Sequence, residues 1–415
     1  MNYEYTELKK LCLSITDCPH STPPWLSEGK LVIRNYNIKD GQLDLTDSSF
    51  TDEDTFKSRN RRAKPEAGDI IITREAPMGE VCIIPENVEC CMGQRMVLLK
   101  PNPNKTDTNY LLYVLMSEYV QKHIKKSEGT GSIVSNLDIS DLEQLSIPNL
   151  PLKLQTRIGN QLRQIDEKIN INKTTNKLLE ELISTIYNYW FVQFDFPDKD
   201  GRPYKSSGGK MKMCEELGVN IPSEAHIINL SDLVELKTDT FNPFTERSKN
   251  VEHYSIPAFD YNKIPVFENS TAIGSNKYKV TKKCILVSKL NPRFQRVWKP
   301  FCFTNDAICS TEFMVYEAKD ERLINYCQSL FLSTHFKSYL VSKETGSTGS
   351  RKRVDPEVSM DYKFACLGSN VLLAYSKLIE PYIAIYQKNI LETRSLLEYR
   401  NYLLPILMTG QATFK

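Results

Sequence analysis

At 415 residues, with 40% hydrophobic and 25% charged side chains, the chain is too long for one ordinary domain and too apolar for wholesale disorder. Its formal net charge of +2 gives no bulk electrostatic sign of a nucleic-acid binder, so local basic runs carry the weight. No stretch reaches the roughly 18 consecutive apolar residues of a membrane span, and MNYEYTELKK lacks the apolar core of a secretion signal. Eleven cysteines without a Cys-x-x-Cys pair predict reduced thiols in a cytosolic chain, most of them core filler, and five scattered histidines predict no metal site.

In chain order, the first basic run is KSRNRRAK, in which Lys57, Arg59, Arg61, Arg62 and Lys64 occur with no acid among them. Such a run suits DNA phosphates and suits a solvated charged face equally. GDIIITREAP, from Gly68, reads as a strand with Thr73 and Arg74 at its end. CMGQRMVLL, from Cys91, reads as a strand flanked by Gln94 and Arg95. Lys125 and Lys126 precede a Gly/Ser-rich loop holding Gly129, Gly131 and Ser132, whose backbone N–H groups fit either a phosphate or a plain hairpin.

After Pro151, apolar positions recur at Ile158, Leu162, Ile165 and Ile169, then at Leu179, Ile183 and Ile186, in alternating steps of four and three. That spacing predicts a coiled-coil helix of about 40 residues and about 60 Å, with Asn172 and Asn176 as polar members of its seam. The chain then repeats itself. Gly129 matches Gly346 and Asp138 matches Asp355, each 217 positions on (346 minus 129, 355 minus 138). CMGQRMVLL aligns at the same displacement with ICSTEFMVY, and GDIIITREAP aligns two residues out of step with KCILVSKLNP from Lys283. The second copy closes on its own seam, Tyr375, Ile379, Tyr382, Tyr386, Asn389, Thr393, Leu396, Arg400, Leu403 and Leu407, with its polar break at the matching place. Packed antiparallel, the two helices would bring those polar residues together and reject slipped registers. Arg400 is expected to spoil the seam and Pro381 to kink or start the helix, so separate packing of each helix on its own domain stays open. The expected fold class is α+β: two mixed heads at opposite ends of a two-helix antiparallel coiled coil, related by a pseudo-two-fold internal repeat.

NYWFVQFDFP (from Asn188) with GRPYKSSGGKM (from Gly201), and YRNYLLPILMTGQ (from Tyr399), resemble the central and distal conserved regions of type I restriction–modification specificity subunits. GDIIITREAPMGEV and the CMGQR segment resemble strand-loop pieces of that family's target recognition domains. The second head departs most, with SKLNPRF for TREAPMG and CSTEF for MGQRM. The resemblance implies recognition domains at 1–150 and 225–366, conserved helices at 151–192 and 367–409, and a linker at 193–224. It implies a chain that binds double-stranded DNA at a bipartite, asymmetric target and docks two modification (adenine methyltransferase) subunits and the restriction subunits. S-adenosylmethionine would sit on the modification partner and ATP and Mg on the restriction partner. This chain would hold no cofactor and no catalytic residue, and would work DNA-associated in a bacterial or archaeal cytoplasm.

For DNA contact, Arg and Gln are the side chains suited to bidentate base reading, which marks Thr73, Arg74, Gln94 and Arg95 in the first head; Arg74 equally suits a surface strand charge. Lys289, Asn291, Arg293 and Arg296 occupy the matching stretch of the second. Gly349 and Ser350 run at once into Arg351, Lys352 and Arg353, which favours a phosphate contact there. Lysines such as Lys57, Lys64, Lys125 and Lys126 would serve phosphates. TPPW (from Thr22) lacks the Asp or Asn of an amino-methyltransferase loop, and Asn242-Pro243-Phe244 lacks its second proline. Neither a Walker loop nor a Gly-x-Ser-x-Gly elbow occurs. Two other readings remain: the recognition subunit of a type IIB-like system, and a coiled-coil scaffold whose heads bind protein.

Overall fold

The computed structural model describes residues 4–126, 136–246, 249–346 and 351–408. The chain divides into two compact units, one of residues 1–170 with 395–415, the other of residues 171–394.

In the first unit the strand Tyr5–Glu7 pairs antiparallel with Ser146–Pro148, tying the start of the segment to its end just ahead of the long helix Leu152–Tyr187. Four strands then form an antiparallel sheet in the order Cys12–Asp17, Met96–Pro101, Ile70–Thr73, Val81–Ile83. Ile70–Thr73 is buried along its whole length, so it reads as an unbroken apolar run and not as an alternation. Successive side chains still point to opposite faces. Ile70 and Ile72 join Leu111, Leu115, Ile158 and Leu162 on the helical side. Ile71 joins Cys82, Cys90, Met92 and Ile33 on the side of a second sheet, Ser49–Thr51, Lys30–Ile33 and Cys90–Met92. Each fully buried Ile contributes about 1.5–3 kcal/mol.

The helix Thr108–Met116 is capped by Asp107, which accepts from the Tyr110 N–H at 3.0 Å, and buries every residue from Tyr110 to Leu115. The long helix approaches that cap at Gly159, where a Cβ would stand 2.6 Å from the Tyr110 nitrogen. Gln155, one turn earlier, accepts from the Asp107 N–H at 3.0 Å and the Thr106 hydroxyl at 2.9 Å.

The second unit repeats this plan. His226–Asn229 pairs with Lys363–Cys366, and the sheet order is Val234–Lys237, Phe313–Ala318, Cys284–Ser288, Val297–Trp298. Each unit carries one parallel pair in its other sheet: Lys30–Ile33 with Cys90–Met92, and Asn250–Tyr254 with Ala307–Ser310. Phe313–Ala318 begins 217 positions after Met96–Pro101 (313 minus 96), and Lys363–Cys366 the same distance after Ser146–Pro148 (363 minus 146). The first long helix ends in a wider turn, Asn188–Val192, where the Gln193 N–H reaches the Asn188 carbonyl at 2.8 Å. Trp190 and Phe191 are thereby buried with Tyr187, Tyr326 and Tyr375 in one aromatic cluster. Residues 193–224, expected as a linker, are folded: Asp195 accepts from the Ser206 N–H and hydroxyl at 2.7 and 2.6 Å, and Met211–Cys214 pairs with Val219–Pro222.

The long helices run antiparallel within each unit. In the second, Asn172 Nδ2 donates to Glu392 Oε2 at 3.0 Å and to Thr393 Oγ1 at 3.4 Å. Asn389 Nδ2 donates to Asn176 Oδ1 at 2.9 Å, and Asn176 Nδ2 to the Tyr386 carbonyl at 3.2 Å. Leu179, Ile183 and Ile186 are half-buried beside them. In the first unit, Ile158, Leu162, Ile165 and Ile169 cluster with Leu396, Leu403 and Leu407. Arg400 does not spoil this packing. It donates to buried Asp166 at 2.7 Å, which also accepts from the Tyr113 hydroxyl at 2.6 Å. Nor does Pro381 start its helix, which runs from Ser369 to Met408. Pro381 and Lys377 are both exposed, so water can satisfy the carbonyl that proline leaves without a donor.

Candidate nucleic-acid interface

In the first unit the strand Ile70–Thr73 ends in a loop that its own last residue closes. The Thr73 hydroxyl donates to the Pro77 carbonyl at 2.6 Å and accepts from the Glu80 N–H at 2.9 Å. Arg74 follows, buried, with NH1 on both Asp17 carboxylate oxygens at 2.9 Å and Nε on the Leu137 carbonyl at 2.9 Å. Its backbone is fixed as well: its N–H meets the Arg95 carbonyl and its carbonyl accepts from the Leu137 N–H. Arg95 is exposed, in the left-handed region at φ 67°, with Nε 3.2 Å from Glu75. Gln94 is half-buried; its amide donates to the His20 carbonyl and accepts from the Thr22 hydroxyl.

Arg59 is the buried last residue of the helix Glu53–Arg59 and spends its guanidinium on the carbonyls of Met92, Ser21 and Pro19. Desolvation there pulls its pKa down. Arg61 and Arg62, just beyond that helix, are exposed, as is Lys125 on the helix Glu118–Lys126. Gly131, Ser132, Gly349 and Ser350 lie outside the described residues, and so does the side chain of Lys126.

The second unit builds the same corner from different side chains. The Lys289 N–H meets the Glu312 carbonyl, and the Lys289 carbonyl accepts from the Val354 N–H. Lys289 thus takes the place of Arg74, and Glu312 that of Arg95. Asn291, at φ 47°, donates its N–H to the Lys352 carbonyl at 2.7 Å and accepts from the Lys352 N–H at 3.0 Å. This clamps the basic run Arg351–Arg353 to the strand-end loop. Arg353 forms a two-pronged pair with Glu312 at 3.0 and 2.8 Å, and that hydrogen-bonded pair holds the Glu312 carboxyl below its ordinary range. Arg296 is paired with Asp260 at 2.6 and 2.8 Å, Lys352 is paired with Glu344, and exposed Arg293 lies over Phe294.

The structure therefore gathers the strand-end candidates at one corner of each unit and pairs Arg74, Arg95, Arg296, Lys352 and Arg353 with carboxylates the sequence did not mark: Asp17, Glu75, Asp260, Glu344 and Glu312. It also places Trp25, Arg34 and Tyr36, three residues without any repeat or spacing signal, beside the 74–79 loop. Among the described residues no helix is long and apolar enough to cross a membrane.

Residues 25–181 match the family described as the type I restriction modification DNA specificity domain. The chain is 25% identical over 235 residues to the type I restriction enzyme MjaIX specificity subunit of Methanocaldococcus jannaschii, covering 56% of this chain and 49% of that protein. It is 23% identical over 160 residues to the type I restriction enzyme HindI specificity subunit of Haemophilus influenzae, covering 38% and 34%. The matched part thus spans about half the length of these curated relatives or less. The crystal structure of the type I restriction–modification system S subunit from M. genitalium shares the fold, with a TM-score of 0.60 at 16% identity over 98% of this chain and 96% of that one. The specificity domain over residues 25–181, the relatives and the common fold all point the same way: this chain is similar to the type I restriction–modification specificity subunits.

Proposed function

We propose that this chain reads double-stranded DNA for its complex through two recognition domains, 1–150 and 225–366, and carries out no catalytic step itself. The carrying observation is the corner built twice: the same pair of backbone bonds holds Arg74 and Arg95 in one unit, Lys289 and Glu312 in the other. One scaffold with two edge chemistries suits an asymmetric, bipartite target. Each good base contact discriminates by about 1–3 kcal/mol, and joining two readers in one chain makes the second contact intramolecular.

The candidates divide by where they stand. Exposed Arg61, Arg62, Lys125 and Arg351 suit phosphates and make binding salt-dependent. Arg95, Lys289, Asn291 and Arg293 stand at strand-end turns and suit base edges. Arg59, Thr73, Arg74 and Gln94 hold those turns in place. On this reading the helical segments 151–192 and 367–409 space the two readers and dock two modification subunits bearing S-adenosylmethionine, with restriction subunits supplying ATP- and Mg-dependent work. Exposed Ile171, Leu178 and Leu182, with Leu378 and Ile385, flank the helix seam and supply apolar surface for such docking. The chain would act in the cytoplasm, on DNA. Expressed with its modification partner, it should produce methylated adenines in a split motif of fixed gap when the genome is mapped. A continuous motif, or no methylation, would overturn the proposal.

A further inference from the structure

One guanidinium of the first unit is held unlike its neighbours. Arg34, directly after the strand Lys30–Ile33, lies over two rings, 4.7 Å from the centre of Trp25 and 4.6 Å from that of Tyr36. The chain on either side of Trp25 and the tip of Tyr36 are each fixed by bonds of their own. Beside Trp25, the Thr51 hydroxyl donates to the Pro24 carbonyl and the Leu26 N–H to the Phe50 carbonyl, each at 3.0 Å. The Tyr36 hydroxyl is 2.9 Å from Ser49 Oγ. The Arg34 N–H donates to Oδ1 of buried Asn37 at 2.9 Å, and Asn35 bonds the Ala76 carbonyl, joining the cluster to the 74–79 loop of the candidate interface. Trp25 is 43% and Tyr36 41% exposed, so the cluster opens to solvent.

The contrast with nearby arginines decides what this one can do. Arg74 and Arg95 lay their N–H edges against carboxylates, and Arg59 lays its own against three carbonyls. Among the described residues no ion pair holds Arg34. A ring takes the face of a guanidinium, whereas a carboxylate takes its edge. Held by its face, Arg34 keeps its N–H donors for an incoming acceptor, and its ordered side chain loses less freedom on binding. The fork of a guanidinium matches the O6 and N7 acceptors of guanine in the major groove.

The second unit carries a serine at the equivalent place, and its own guanidinium over two rings, Arg394 on Phe267 and Phe303, belongs to the long helix Ser369–Met408. Val32 is paired with Cys91 and His253 with Ile308 in the equivalent parallel pairs, which sets Ser255 at the place of Arg34. Ser255 uses its hydroxyl to cap the helix Ile256–Asn262.

We propose that Arg34, ordered by Trp25 and Tyr36, is a base-reading side chain of the first unit that takes a guanine edge, giving that unit a preference the second lacks. The proposal rests on the DNA-reading function above. The full-length chain and its variants are to be selected against a randomised duplex DNA library, with the melting temperature of each protein measured alongside. Recovery of no motif by the wild type overturns the DNA-reading function and this proposal with it. Given a split wild-type motif, Arg34→Ala should lower the preference for guanine at one or two adjacent positions of one half about ten- to hundredfold, leaving the other half intact. Arg34→Lys, which keeps the charge and loses the planar fork, should show the same loss and decides the matter if the alanine variant does not fold. Trp25→Leu should weaken the same positions to a smaller degree. A motif unchanged in Arg34→Lys, with binding merely weaker, identifies a phosphate contact and overturns the base-reading role. So does a change in both halves.

Discussion

Arg74 shows how much of the candidate corner is internal support. With its guanidinium on Asp17 and on the Leu137 carbonyl, it ties two separate segments to one strand end. Arg74→Ala should lower stability by about 2–4 kcal/mol, because a largely buried carboxylate loses its cation, and Arg74→Lys should recover only part of that. Urea unfolding followed by circular dichroism checks this, and an unchanged midpoint would return Arg74 to the surface charges. Glu312 makes the corresponding support in the second unit sensitive to acid. Its carboxyl is held below the ordinary 4.5 chiefly by the Arg353 hydrogen bond, so the pair contributes stability above that value. As pH falls below 4.5 through the lower folded-state value, the folded carboxylate takes up its proton and the contribution is lost. The stability gap between wild type and Glu312→Gln should therefore close across that window, and a gap independent of pH would refute it. The strand ends themselves could be read from the sequence, because a run such as IIIT marks a buried strand. Their carboxylates could not: Asp17 is 57 positions from Arg74 and Glu312 is 41 from Arg353, and no periodicity links such pairs.

At the scale of elements, the helix seam was the most legible feature, since steps of four and three survive in any register of sequence. Its exceptions were not. Arg400 looked like a flaw because its partner, Asp166, lies 234 positions away and is itself held by Tyr113. Pro381 looked like a boundary because sequence does not reveal which side of a helix meets water. The polar break offers a sharp test of energetics. Asn176→Leu alone leaves the Asn389 amide without its acceptor and should cost about 1–3 kcal/mol. Asn176→Leu with Asn389→Leu removes both partners and should recover most or all of that loss, as replacement of buried polar pairs by apolar ones often does. Thermal melting of the two single variants and the double one measures the coupling. Strict additivity would show that the two amides do not act as a pair.

At the scale of the whole chain, the repeat explains even its own misfit. Thr73 and Met96 are paired, as are Ser288 and Phe313, but the connection between them is two residues longer in the second unit (313 minus 288 against 96 minus 73). The out-of-step match of GDIIITREAP is thus an insertion in a loop, the place where a sheet tolerates one. If the helices act as the spacer, a seven-residue insertion in each should change the gap of the methylation motif and leave both halves intact; altered halves would move the reading function into the helices. The buried thiols carry a further consequence. Cys90 and Cys91, adjacent on one strand, face different clusters, and burial pushes their pKa values up to about 12 and about 11. Cys18 and Cys82 are buried in the same unit, and Cys284, Cys309 and Cys327 in the other. A thiol that is both hidden and protonated is inert until the backbone around it opens, so the natural cysteines form an internal clock. Timed alkylation in dilute denaturant, read by peptide mass, should tag each group as a set. The order of the two sets would reveal which unit lets go first, and tagging of single cysteines out of step would mean that neither unit opens as a whole.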